Sequence, residues 1–340
     1  MHSIYASILK KYSSALKPIP VDIDDIAPFS VFTPASLSAP ESLSASHIAS
    51  KSKSTAESAF SPESESIPKP EEKKIKAIFF DLYGTLFISD SGNITSSIER
   101  NDDIFFYKTF KICQIKDFSN KEDINKFSNR FYRTILEKHT IEKINGNETP
   151  EVDIRDIWLE TLNNFGVFLK NNSEVEKIAV VYESLVNKTW PMPGLKNILS
   201  FISKKGIPMG IISNAQFYSE YLFEAYLKKS PLKLGFIKSL CYYSYNKKIA
   251  KPGKEMFEEA ISEIKKEKNI ISEEILYVGN DMLNDIKPAA LLGMKTCLFA
   301  GDKRSFRFKT GGEEIKNITP DYVITELCML KDILVNGVVS

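Results

Sequence analysis

The stretch Lys76-Ala77-Ile78-Phe79-Phe80-Asp81-Leu82-Tyr83-Gly84-Thr85-Leu86-Phe87 decides how the rest of the chain is read. Its apolar run Ile78-Phe79-Phe80 suits a buried strand. Asp81 stands where that strand ends, and Gly84 follows at once in a turn. Ligands of open parallel sheets bind at the carboxyl ends of the strands. An acid at this point is therefore placed for chemistry, and the tyrosine two residues after it qualifies what that chemistry can be.

Outward from this stretch, apolar runs recur at intervals filled by helical patterns, the signature of a doubly wound sheet. After 75–80 come Gly206–Ile212, Phe236–Tyr243, Ile275–Val278, Thr296–Phe299 and Tyr322–Ile324. Helices are expected over Leu195–Lys205, Phe217–Lys228, Lys254–Lys268 and Ile286–Leu292. Between the first two strands, residues 95–189 carry helical periodicity almost throughout. Four helices fit, at about 97–115, 120–140, 151–168 and 173–189, with loops such as Asn145-Gly146-Asn147 between them. Helices this closely spaced read as a small bundle inserted into the sheet domain. Trp158, Leu159 and Leu162, and Ile178, Val181 and Leu185, are assigned to its core.

The N-terminus reads differently. Ile4, Tyr5, Ile8, Leu9, Tyr12 and Leu16 recur at helical spacing within residues 1–17, so a short amphipathic helix is expected to dock on the main body. Residues 18–74, above all Pro34 to Lys74, are rich in Ser, Ala, Pro, Glu and Lys. Such a segment buries too little apolar surface to offset the entropy of ordering it, and reads as a flexible, disordered linker.

Composition bounds the function. The 340 residues leave room for two domains, and 43% apolar content with a net charge of +1 describes a globular chain with no general basic excess for nucleic acid. Cys113, Cys241, Cys297 and Cys328 lie far apart and form no C-x-x-C pair, which argues against a zinc site or a disulfide framework and suits a reducing cytoplasm. No run reaches the roughly 18 apolar residues of a membrane span, and Met1–Lys17 lacks the apolar core of a secretory signal.

Four short motifs carry the chemistry. Asp81 ends the first strand. Ser213, followed by Asn214, ends the second. Lys251 precedes Pro252-Gly253. The fourth strand runs into Gly279-Asn280-Asp281-Met282-Leu283-Asn284-Asp285. In this order and spacing they resemble the four motifs of the haloacid dehalogenase superfamily over residues 75–335. The flanks Met192-Pro193-Gly194 and Ile286–Met294 agree with that resemblance. It implies a Rossmann-like α/β core (75–94 and 190–340) with a parallel sheet, a flap hairpin near 82–94, and a helical cap at 95–189.

The resemblance also implies a mechanism. Asp81 would attack phosphorus or carbon and form a covalent aspartyl intermediate. Thr85 and Ser213 would donate hydrogen bonds, and Lys251 would offset charge on Asp81. Tyr83, Ser213, Asn214 and Lys251 would meet the substrate. A Mg²⁺ ion would be held by Asp81, the Tyr83 carbonyl and motif-four side chains among Asn280, Asp281 and Asp285. In the superfamily's phosphatases the residue at position 83 is a second Asp that protonates the leaving group; true 2-haloacid dehalogenases carry Tyr there. Tyr83 thus favours dehalogenation, whereas three carboxylates facing one lysine favour a dication. Haloacid dehalogenases also place a cap arginine on the substrate carboxylate, and Arg100, Arg130, Arg133 and Arg155 match no such pattern. Mg²⁺-dependent hydrolysis of a phosphomonoester or acyl phosphate is the first expectation and a dehalogenase-like hydrolase the second. The third is a weakly active protein that binds a ligand, or a protein partner through the N-terminal extension.

Overall fold

Strand β1 (Ala77–Phe80) lies at the centre of a six-stranded sheet because every one of its side chains is buried. Its neighbours are β4 (Met209–Ser213) on one side and β6 (Ile275–Gly279) on the other, both parallel to it and both buried throughout. Beyond them β5 (Phe236–Tyr243), β7 (Lys295–Phe299) and β8 (Tyr322–Ile324) complete the order β5-β4-β1-β6-β7-β8, all parallel. The computed structural model describes residues 2–22, 26, 74–90, 103–118, 120–308 and 311–336. The Ser- and Pro-rich segment from 34 to 73, and Arg100, lie outside the described residues.

After β1 the chain builds outward on one side through β4 to β5, then crosses back to place β6, β7 and β8 on the other. Strand order therefore reverses at β1, and a crevice opens at the carboxyl ends of β1, β4 and β6. Asp81, Ser213 and Asn280 stand at those three ends. Helices α6 (Leu195–Lys204), α7 (Tyr221–Leu227), α8 (Glu255–Lys268), α9 (Lys287–Leu291) and α10 (Leu330–Asn336) accompany the sheet.

Residues 91–94 of the expected flap hairpin lie outside the described residues, and 82–90 make no hairpin among themselves. Instead β2 (Phe87–Ser89) pairs antiparallel with β3 (Thr189–Pro191), across the whole insertion. The fourth cap helix accordingly ends at Val186 rather than 189. Asn187 caps it, and Thr189 and Trp190, both good strand formers, turn extended before Pro191.

The insertion consists of α2 (Asp103–Cys113), α3 (Lys121–Ile144), α4 (Ile154–Asn164) and α5 (Asn172–Val186). Asn120, Asp153 and Asn171 cap the last three, each side chain accepting backbone N–H bonds of the first turn. Their apolar faces meet in an aromatic cluster. Phe106 lies 5.3 Å from Phe131, 5.6 Å from Trp158 and 4.5 Å from Tyr182. Trp158, Leu162, Ile178 and Val181 are buried and Leu185 is half-buried, but Leu159 faces solvent because it falls off the inward stripe of α4.

Helix α1 (His2–Tyr12) buries Tyr5, Ala6 and Leu9. The Tyr5 ring lies 5.3 Å from that of Tyr221, and its hydroxyl donates to Glu176 at 2.8 Å. Ile4, read as part of the apolar face, is exposed. The start of the expected linker is pinned to the core: the Ile19 amide donates to Asp302, Lys303 N–H donates to the Ile19 carbonyl, and Ile26 is buried beside Met282. Proline on both sides of Ile19 favours the extended chain that these bonds require.

Candidate active site

Lys251 is the hub of the site. Its Nζ lies 2.7 Å from Asp81 Oδ1, 2.5 Å from Asp285 Oδ1, 3.1 Å from the Tyr277 hydroxyl and 3.3 Å from the Ile212 carbonyl. The loop that carries it is clasped by Asn214, whose side chain accepts from the Lys251 amide at 2.7 Å and donates to the Lys251 carbonyl at 3.0 Å. Asn214, expected to touch substrate, thus positions Lys251 while also lining the adjoining cavity. Burial alone would lower the lysine's pKa; Asp285 and Asp81 outweigh it, and the net shift is upward.

Asp81 is nearly fully buried at the end of β1. Burial raises its pKa to about 6, against the pull of Lys251 and with a further push from Asp285. Gly84 makes the turn that follows. Its φ is +84°, and a Cβ there would come within 2.6 Å of Ser305 Cβ and 2.7 Å of Asn280 Nδ2. Two turn residues then stitch the motifs together: Thr85 Oγ1 donates to Asn280 Oδ1 at 3.0 Å, and Asn280 Nδ2 donates to the Ser305 carbonyl at 2.5 Å. Thr85 therefore acts on motif four and not directly on Asp81. Ser213 Oγ is buried without a well-formed hydrogen bond, yet lies close enough to Asp81 to favour its charged form.

Motif four divides its carboxylates by task. Asp285 Oδ2 accepts the amides of Asn280 and Asp281, and its Oδ1 takes Lys251 and lies 3.1 Å from the Tyr277 hydroxyl. Gly279 leaves room for it, since a Cβ there would stand 2.4 Å from Asp285 Cγ. Asp281 caps the π-helical turn Met282–Ile286 and accepts from the Leu283 and Asn284 amides. Burial and Asp285 raise its pKa. Among the described residues no three Asp, Glu, His or Cys side chains converge on one point as a ready-made metal cage. The donors at the strand ends are all oxygen, with three carboxylates against one ammonium. That set suits a hard dication such as Mg²⁺, which binds through one or two carboxylates and keeps much of its water.

Tyr83 lines the space between core and cap. Its hydroxyl shares a 2.8 Å hydrogen bond with Ser219, and burial followed by Glu183 raises its pKa well above the usual phenol value. The ring lines a cavity of about 340 Å³ between cap and core, reached by Lys251 and Asn214 from the core and by Tyr132, His139, Glu183 and Asn187 from the cap. The three described cap arginines point elsewhere. Arg130 pairs with Glu137 and Glu160, Arg133 with Glu137, and Arg155 with Asp153 and Glu176.

Sequence reasoning missed Tyr277, whose hydroxyl also lies 2.8 Å from the Ile212 carbonyl. A strand-interior tyrosine looks like core until the neighbouring strand end is placed. It also missed Glu183, Tyr218 and Glu151, which reach the site only through the packing of cap on core. A carboxylate on an otherwise apolar stretch of α5 was the one available signal for Glu183.

The model of the haloacid dehalogenase-like hydrolases matches residues 75–293. No curated protein matches the sequence at a significant level. Among solved structures the chain is similar to the HAD hydrolase YfnB of Bacillus subtilis, solved with magnesium (18% identity, 77% of this chain and 100% of that one, TM-score 0.41). It is also similar to a 2-haloacid dehalogenase of Pseudomonas syringae pv. Tomato (15%, 78% and 100%, 0.48) and a HAD phosphatase of Thermococcus onnurineus (19%, 77% and 98%, 0.43). With the family's model covering most of the chain, this protein belongs to the haloacid dehalogenase-like hydrolases.

Proposed function

We propose that the chain is a phosphohydrolase that works through an aspartyl-phosphate on Asp81. The distribution of charge supports this reading. Among the described residues the only basic side chain on the cavity that is not histidine is Lys251, already shared by Asp81 and Asp285. A 2-haloacid attacked by Asp81 would have to project its carboxylate into a cavity lined by Glu183 and Glu151, with no arginine among the described residues to receive it. A phosphoester has the opposite polarity. Its anion lies at the Lys251 end and its alcohol in the cavity.

In the first step an Asp81 carboxylate oxygen attacks phosphorus and the bond from phosphorus to the ester oxygen breaks, leaving an alkoxide. In the second, water attacks the same phosphorus and the bond from phosphorus to the Asp81 oxygen breaks, releasing phosphate and free Asp81; the proton that water gives up balances the one the alkoxide takes from solvent. Lys251 offsets charge on Asp81 throughout, and the unpartnered Ser213 hydroxyl is the donor available to a phosphoryl oxygen. Mg²⁺ would be held by Asp81, the Tyr83 carbonyl and Asp281, and would neutralise the excess of carboxylates and the phosphoryl charge. Asp285 and Asn280 are engaged by Lys251, backbone amides and Thr85, and serve to position the others. Tyr83 offers no carboxylic acid to the alkoxide, so esters whose alcohols leave as stable anions react best.

The test is a panel of p-nitrophenyl phosphate, acetyl phosphate, alkyl phosphates and 2-haloacids, each with Mg²⁺ and with chelator. Hydrolysis of the first two, abolished by chelator, is expected. Chelator-resistant halide release from a 2-haloacid would sink the reading.

A further inference from the structure

Glu183 is a cavity-lining carboxyl without a counter-charge. It projects from α5, half-buried, and forms no ion pair among the described residues. Both of its oxygens accept hydrogen bonds, from Asn187 Nδ2 at 2.9 Å and from the Tyr218 hydroxyl at 2.9 Å. Glu151 faces the same cavity in the same manner: its Oε1 accepts the Val152 amide at 2.9 Å and its Oε2 the Ser244 hydroxyl at 2.8 Å. One oxygen of each accepts from an N–H, which can only donate, and the other meets a hydroxyl that serves a carboxylate as donor. Burial works against them and raises both pKa values. Charges drawn away from water are ordinarily paired; Lys248 pulls on Glu151, but among the described residues no cation pairs with Glu183. The nearest basic groups are spoken for: Lys251 by Asp81 and Asp285, and Lys248 by Asp156. His139, also on the cavity wall, is held towards its neutral form by burial and Lys143, and its Nε2 has no partner.

We propose that the cap–core cavity is a receptor for an ammonium group, so that among alkyl phosphates, whose alkoxides Tyr83 cannot protonate and which react slowly, the monoesters of small amino alcohols are preferred. The inference rests on the phosphohydrolase reading and deepens it. The phosphoryl group sits at Asp81, Ser213 and Lys251. The carbon chain runs past Tyr83, and the ammonium reaches Glu183 and Glu151 beside the rings of Tyr132 and Tyr218, whose faces also attract cations. A cavity of about 340 Å³ accommodates the short chain of such an ester. An anionic alcohol, such as a hydroxy acid, is repelled by the same two carboxylates.

The test compares O-phosphoethanolamine with propyl phosphate, its neutral counterpart of equal length, and with phosphoglycolate, using the full chain and Mg²⁺. The expected kcat/KM ratio of the first to the second is at least about tenfold, since a site built around a polar group rejects an analogue lacking it. Phosphoglycolate is the poorest of the three. In Glu183→Gln the ratio falls towards one, and in Tyr218→Phe, which only loosens the carboxylate, it shrinks; this second variant keeps the test alive if the first does not fold. A wild-type ratio near one, or one that persists in Glu183→Gln, overturns the proposal. If the wild type turns over no phosphate ester at all, p-nitrophenyl phosphate included, the phosphohydrolase reading fails. Calorimetric binding to Asp81→Asn then decides the receptor separately. Tighter binding of O-phosphoethanolamine than of propyl phosphate supports it, and equal or absent binding overturns it.

Discussion

Asp81, Lys251 and Asp285 form one buried cluster in which stability and activity pull apart. Two carboxylates share one ammonium, and each carboxylate is worse off for the other. Asp81→Asn removes a charge that Lys251 compensates only in part, so it is expected to abolish turnover, by about 10³-fold or more, while leaving thermal stability unchanged or slightly raised. Lys251→Met strands both carboxylates and should cost about 3–5 kcal/mol in urea unfolding. A stable Lys251→Met protein would contradict this. At Tyr83 the expectation concerns rate. An Asp placed there sits beside Glu183, which favours its protonated form, so Tyr83→Asp should raise alkyl phosphatase activity by up to about 10²-fold relative to p-nitrophenyl phosphatase activity. Falling activity on both substrates, together with halide release by the wild type, would point to dehalogenation instead. Asp81, Ser213 and Lys251 were legible because each stands at a strand end marked by an apolar run and a turn residue. Glu183 and Tyr277 were not, because their roles depend on which distant side chain faces them.

At the scale of elements, the six strands of the sheet could be read from local apolar runs, since strands buried on both faces, as β1, β4 and β6 are, announce themselves without partners. Strands β2 and β3 could not. Each is three residues long, and each exists through a partner about a hundred residues away. The turn between β1 and β2 is where local and distant demands meet. Gly84 must hold a positive φ and also admit Ser305 and Asn280. Gly84→Ala is therefore expected to cost about 1–3 kcal/mol and to disturb the Thr85–Asn280 bond that joins motif one to motif four. The check is paired: the loss in melting temperature should come with a fall in kcat larger than that of a similarly destabilising substitution in the cap core.

Across the whole molecule, the cap and core are joined by more than the two chain crossings at β2 and β3. Helix α1 lies against both, next to α5 in the cap and α7 beside the sheet. Tyr5 makes the connection explicit, with its ring on Tyr221 and Phe217 and its hydroxyl on Glu176. Glu176 in turn pairs with Arg155, which stacks 4.9 Å from the Phe217 ring and also binds Asp153, the cap of α4. A helix of 11 residues has little stability alone, so α1 is held by what it buries, and what it buries belongs to two bodies that enclose the cavity beside Lys251. Leu9→Ala should therefore cost about 2–5 kcal/mol, as for a buried leucine elsewhere. Removal of residues 1–12 should cost more and loosen the cap. Hydrogen exchange should then quicken in α5 and α7 but not in β1 or β6. KM should rise for substrates that fill the cavity, while acetyl phosphate, too small to need the cap, should be affected least. If the truncated chain melts at the same temperature and keeps its exchange pattern, α1 is not a brace between cap and core, and the cavity owes its shape to the inserted bundle alone.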